Sequence, residues 1–169
     1  MKKTAAAFAL ALAAATVFAA TAGHAVEMHD LRFTVTPEFS APDEAGLDAL
    51  RAVLPKNAKP GAEKMSITAV RFPAEAVGAG GMSDAELLDY VKTAFLAATG
   101  AGKPVERIFL GQKAKGEALE RSIPVPMRAE AYVVALKTGD KVVLAFAFTP
   151  EFAAEAGRVI DEAAGSLRE

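Results

Sequence analysis

The chain has no cysteine and no tryptophan, and its only histidines are His24 and His29. Without cysteine there are no disulfides, no thiolate nucleophile, no thiolate metal site and no lipid-modified N-terminal cysteine. With so little imidazole, few groups can shuttle protons near neutral pH. A serine nucleophile needs a base and an orienter. Ser40, Ser66, Ser83, Ser122 and Ser166 have almost no histidine to share, and none lies in G-x-S-x-G. The acidic pairs Asp43/Glu44 and Glu117/Glu120 read as solvated surface, since nothing marks either as buried. Neither sign of charge dominates: 19 basic residues stand against 21 acidic ones in a chain of 169, a net charge of −2. That balance is ordinary for solubility and carries no electrostatic footprint of nucleic acid.

One long apolar run is present, and it is N-terminal. Lys2 and Lys3 precede an alanine-rich stretch from Ala5 to Ala20, followed by small residues. This is the pattern of an export signal of bacterial type, spanning residues 1–25. The plainer alternative is a retained membrane helix, which alanine would drive weakly. Polar residues Glu27, His29 and Asp30 begin just past Ala25, so a cut there is expected, with Val26 first. A cut after Ala22 is the alternative and would expose Gly23-His24. Either places a soluble protein in a periplasm or the exterior, with no membrane span after cleavage. Residues 26–169 suffice for a single domain burying about 68–70% of its unfolded surface.

The clearest pattern in that domain runs from Ala129 to Leu167. In Lys141 to Phe148, one parity carries Val142, Leu144, Phe146 and Phe148, the other Val143, Ala145 and Ala147. Side chains alternate faces along a strand, so this strand has a large apolar face and a small one and is covered on both sides. Thr149 offers an N-cap oxygen and Pro150 suits the first helical position. The helix that follows aligns Phe152, Ala156, Val159, Ile160, Ala163 and Leu167. Two strands meet around Thr138-Gly139, where glycine suits a hairpin turn.

Leu31 to Thr36 alternates as a first strand ended by Pro37. Leu47, Leu50, Val53 and Leu54 fall at helical spacing from Asp43 to Pro55. Met65 to Phe72 is β-branched enough for a strand. Ser83 and Glu86 form a capping box opening a helix to about Thr99, before Gly100 and Gly102. Pro104 to Gln112 and Gly116 to Met127 read as two more strands. In the second, Pro124 and Pro126 cannot donate ladder hydrogen bonds, so that end is an edge or leaves the sheet.

Three features bear on function. Gly78-Ala79-Gly80-Gly81 precedes a helix, but it lacks a Gly-Lys-Ser/Thr ending and departs from G-x-G-x-x-G. It reads as a flexible connection rather than a phosphate cradle. His29, near the mature terminus in Glu27-Met28-His29-Asp30, is a candidate copper ligand, the plainer reading being a frayed tail. Ile123, Val125 and Met127 form an apolar extended segment which, if exposed, suits a partner; if Ile123, Val125 and Met127 turn inward, it is edge-strand core. Together with Gly80 and Gly81, Ile123, Val125 and Met127 make the candidate interaction surface. No residue points to a catalytic role or to a bound cofactor.

The element order resembles the PsbP-like superfamily, which includes Mog-type Ran-binding proteins and bacterial periplasmic DcrB-like proteins. The residues that carry the resemblance are Phe33 to Phe39, Ala131-Tyr132-Val133-Val134, Gly139-Asp140-Lys141-Val142-Val143 and the Ile160 to Leu167 helix. It implies an α+β fold, an α/β/α sandwich with a mostly antiparallel sheet of about six strands and helices on both faces. It also implies protein-binding, assembly-assisting roles without catalysis. No metal or Ran-contact residue of the family can be matched to a position here. A cystatin-like or NTF2-like domain is the alternative fold, although those place their main helices before the sheet. The expected function is thus that of a non-enzymatic periplasmic accessory protein whose partner is another envelope protein. The alternative is a carrier holding a small apolar ligand between the sheet and the Ser83–Thr99 helix.

Overall fold

The computed structural model describes residues 23–40, 50–55, 64–98, 100–121 and 125–169. Strand β9 (Lys141–Phe148) lies inside an antiparallel sheet between β5 (Met65–Phe72) and β8 (Met127–Ala135). Beyond β5 come β4 (Leu50–Pro55) and β3 (Phe39–Ser40); beyond β8 come β7 (Gln112–Arg121) and β6 (Lys103–Phe109). The order is β3-β4-β5-β9-β8-β7-β6, with every pairing antiparallel.

The two parities of β9 meet different layers. Val142, Leu144, Phe146 and Phe148 share a core with Ala156, Val159, Ile160, Ala163 and Leu167 from α3 (Ala153–Ser166) and its end. A separate hairpin, β1 (His24–Met28) and β2 (Leu31–Val35), adds Val26, Met28, Leu31, Phe33 and Val35 to that layer. On the opposite face, Val143, Ala145 and Ala147 lie under Leu87, Leu88 and Val91 of α2 (Asp84–Phe95). The small parity lets a helix sit close; the large one fills a thicker layer. This is the expected α/β/α sandwich, with seven strands in the central sheet.

Several local expectations change. Leu31–Val35 pairs with β1 instead of joining the main sheet. Residues 50–55, expected at the end of a helix, are strand β4; the remainder of that expected helix lies outside the described residues. Short apolar runs suit either state, and pairing with β5 decides this one. The strand expected to reach Gln112 stops at Phe109, because Leu110 and Gly111 both take positive φ (52° and 74°) and make a two-residue turn. The next strand ends at Arg121 rather than Met127, and Met127 opens β8; Pro126 thus lies outside the sheet, one of the two outcomes expected for that end, and Pro124 lies outside the described residues. Helix α2 stops at Phe95 instead of Thr99, with Ala97 left-handed just beyond it. Thr149 makes no side-chain cap; its carbonyl accepts from Phe152 (3.0 Å) in the 3-10 turn Pro150–Phe152 that leads into α3. The capping box forms as expected: the Ser83 hydroxyl oxygen accepts from the Glu86 N–H, and the Ser83 N–H donates to Glu86 (2.7 Å).

Candidate interaction surface

Strands β7 and β8 extend together past the point where the edge strand β6 begins. Lys103 pairs with Ala118, whereas β7 and β8 stay paired out to Arg121 and Met127. The hairpin therefore projects at one corner of the sheet. At its tip Val125 is 55% exposed, and Pro126 is exposed beside it. Met127 behaves differently, packing against the core beneath α2. Ile123 lies outside the described residues. The expected apolar segment is thus divided: Val125 faces water and Met127 faces the core.

Arg121 anchors the hairpin to α2. Its Nη1 donates to the Leu96 carbonyl (3.1 Å), an acceptor at the helix end, and Nη2 approaches the Met127 sulfur (3.8 Å). A cation there is favoured by the helix dipole. Among the described residues, its buried Nε has no hydrogen-bond partner and no carboxylate reaches ion-pair distance of Arg121.

Gly80 and Gly81 stand at the other end of α2, roughly 18 Å away along a twelve-residue helix. Their roles are local. Gly80 has φ of 81°, and a Cβ on Gly81 would lie 2.3 Å from the Ala76 carbonyl oxygen. The turn closes through Gly81 N–H to Gly78 O (2.8 Å) and Met82 N–H to Ala76 O (2.9 Å). The structure does not bring these glycines into one patch with Val125.

His29 is not in a frayed tail. It and Asp30 form the two-residue turn between β1 and β2, with φ of 49° and 65°, a conformation histidine and aspartate tolerate better than most residues. Its Nε2 lies 3.2 Å from the Ala69 carbonyl. Among the described residues, no group of three or more His, Asp or Glu gathers as a metal site.

Two polar clusters escaped sequence reading because each needs separate elements brought together. The Arg107 Nε donates to the Tyr132 hydroxyl (3.3 Å), which donates to Glu130; Arg107 also pairs with Glu130 (3.6 Å) and with Asp161 on α3. Burial, with the hydrogen bond to Glu130, pushes the Tyr132 phenol up to about 12. It stays protonated, and Arg107, through Asp161, ties the sheet to α3. Lys92 is buried on α2 and paired with Asp89 (3.0 Å) and Glu117 (3.5 Å). The hydrogen bond to Asp89 outweighs burial and raises its pKa. Both clusters are internally paired.

Below the hairpin is a half-open cleft of about 420 Å³, with Ala118, Leu119, Ala129, Phe148 and Ala153 among its walls and Lys103 and Glu130 at its sides. Between α2 and the sheet, by contrast, the gap beside Leu96 and Leu119 measures about 10 Å³, about the size of one water. No helix among the described residues is long and apolar enough to cross a membrane.

No family model matches the sequence, and no curated protein matches it. Solved structures do. The Ran-binding protein Mog1p of Saccharomyces cerevisiae superposes with a TM-score of 0.57 at 13% identity, over 86% of this chain and 94% of that one. The cyanobacterial PsbP (CyanoP) of Synechocystis gives 0.59 at 10% identity, over 88% and 92%. At such identity the likeness is one of fold, and the chain carries the sandwich that Mog1p and PsbP share, as its element order implied.

Proposed function

We propose that this is an exported, non-catalytic accessory protein that docks another envelope protein through the tip of the β7–β8 hairpin. The observation that carries the reading is Val125, a large apolar residue more than half exposed beside Pro126 on a projecting corner. A hairpin held by strand pairing out to Arg121 and Met127 presents such a residue at little entropic cost. One protein of the same fold is Ran-binding, which supports a protein as partner. The ionisable clusters at Arg107 and Lys92 are paired and serve cohesion, leaving no poised acid, base or nucleophile among them. Affinity purification of the tagged full chain from its native cells tests the proposal. A discrete protein should be recovered with the natural chain and lost with Val125→Glu; the same recovery from both would overturn it.

The carrier reading gains nothing from the α2 interface, which is filled by Leu87, Leu88, Val91 and Leu96. For the export signal, β1 favours the earlier cleavage site. Cutting after Ala25 would remove His24 and Ala25, which pair with Val35 and Thr34. Cutting after Ala22 leaves the strand whole, and we propose that the mature protein begins at Gly23. N-terminal sequencing of the secreted form should read Gly23; an intact Met1 would refute export.

A further inference from the structure

We propose that the amino terminus of the mature protein is a Cu(II) site, built from the Gly23 amine, the His24 backbone nitrogen and the His24 imidazole. This rests on the Gly23 start argued above. Histidine in second place brings its Nδ1 within reach of a metal already held by the terminal amine and by the amide between the two residues. Two fused chelate rings then close around the ion. Cu(II) fits such a set best: among the common divalent metals it binds nitrogen most tightly, favours a square plane and can displace an amide proton.

The start of β1 suits this role. Val26 and Met28 are buried, whereas His24, on the same face of the strand, is exposed and so lies beyond the rim of the core. Among the described residues its ring has no hydrogen-bond or ion-pair partner. His29 is at the far end of β1, with Nε2 3.2 Å from the Ala69 carbonyl. Residue 23 must be glycine here, since a Cβ would lie 2.3 Å from the Thr34 Cγ2. The same lack of a side chain leaves the terminal amine open to a metal. Two of the ligands are backbone nitrogens, so no cluster of His, Asp and Glu side chains marks the site. Counting from the two-residue turn, Met28 with Leu31, Val26 with Phe33 and His24 with Val35 are the hydrogen-bonded pairs. The amide that copper takes is therefore the one facing the Val35 carbonyl. Copper opens this last pair and leaves the buried Val26 and Phe33 together.

The test uses the exported mature chain, its first residue read by N-terminal sequencing. Copper sulfate is titrated against a competing chelator at neutral pH, with visible circular dichroism following the metal. One equivalent should bind, and ¹⁵N spectra should lose the amides of Ala25, Thr34 and Val35 while sparing those of α2, which packs on the other face of the sheet. His24→Ala and acetylation of the Gly23 amine should each weaken binding at least about tenfold. His29→Ala should leave it unchanged, and one alanine added ahead of Gly23 should tighten it by making histidine third. Equal affinity in the natural chain and His24→Ala, indifference to acetylation, or Zn(II) held as tightly as Cu(II) would overturn the site while leaving the Gly23 start standing. A first residue other than Gly23 would refute the start and the site together.

Discussion

Phe146 is fully buried on the large face of β9, between Ile67 of β5 and Glu130 of β8. Phe146→Ala should cost ~3–5 kcal/mol, a large part of the roughly 5–15 kcal/mol typical of a domain. Urea unfolding checks this, and a loss below about 1 kcal/mol would place the side chain at the surface. The opposite parity should fail in the opposite sense. Ala145 lies buried beneath α2, so Ala145→Leu should destabilise by ~1–3 kcal/mol through overpacking. Asp140 answers to pH. The Arg71 guanidinium, bonded through Nε at 2.7 Å, holds its carboxyl below the ordinary range, helped by the Ala74 N–H (2.9 Å). A depressed carboxyl stabilises the fold above its unfolded value, about 3.9, and that contribution disappears as pH falls through the lower folded value. The urea midpoint should therefore fall on acidification from neutral pH to the region of pH 3. Asp140→Asn should be less stable at neutral pH and lose less on acidification; an unchanged acid loss would remove Asp140 from the account.

Among the elements, those written locally were legible and those decided by pairing were not. The Ser83–Glu86 capping box forms as its spacing indicates, and Ser83→Ala should cost about 1 kcal/mol by urea unfolding. The β9 alternation and the α3 stripe were equally readable, because each depends on a period within one segment. Residues 50–55 became a strand through their partner β5, and the Leu110-Gly111 turn through the register of β6 on β7. No local period records either. The candidate surface was legible to the same degree: the prolines marked a segment that leaves the sheet, but only the hairpin's end separates exposed Val125 from packed Met127. That division is testable by circular dichroism. Val125→Glu should keep the natural spectrum and melting temperature, while Met127→Glu should lower the melting temperature by placing a charge against the core. Equal effects would show that the tip is packed differently.

At the scale of the whole molecule, the sandwich commits both faces of its central strand to packing, and function is left to edges and corners. The corner occupied by the β7–β8 hairpin combines exposed Val125 with an Arg121 that has no carboxylate partner among the described residues. Partner identity was not legible in the sequence, since proteins of this fold share element order at only 10–13% identity with the chain. The most direct measurement is site-specific photo-crosslinking in the native cells. A photoreactive phenylalanine analogue replaces Val125 in the full chain and, separately, exposed Lys137 at the opposite end of β8. Docking by the hairpin requires a discrete protein adduct from position 125 and none from position 137. No adduct at 125, or the same adduct from both positions, would contradict it.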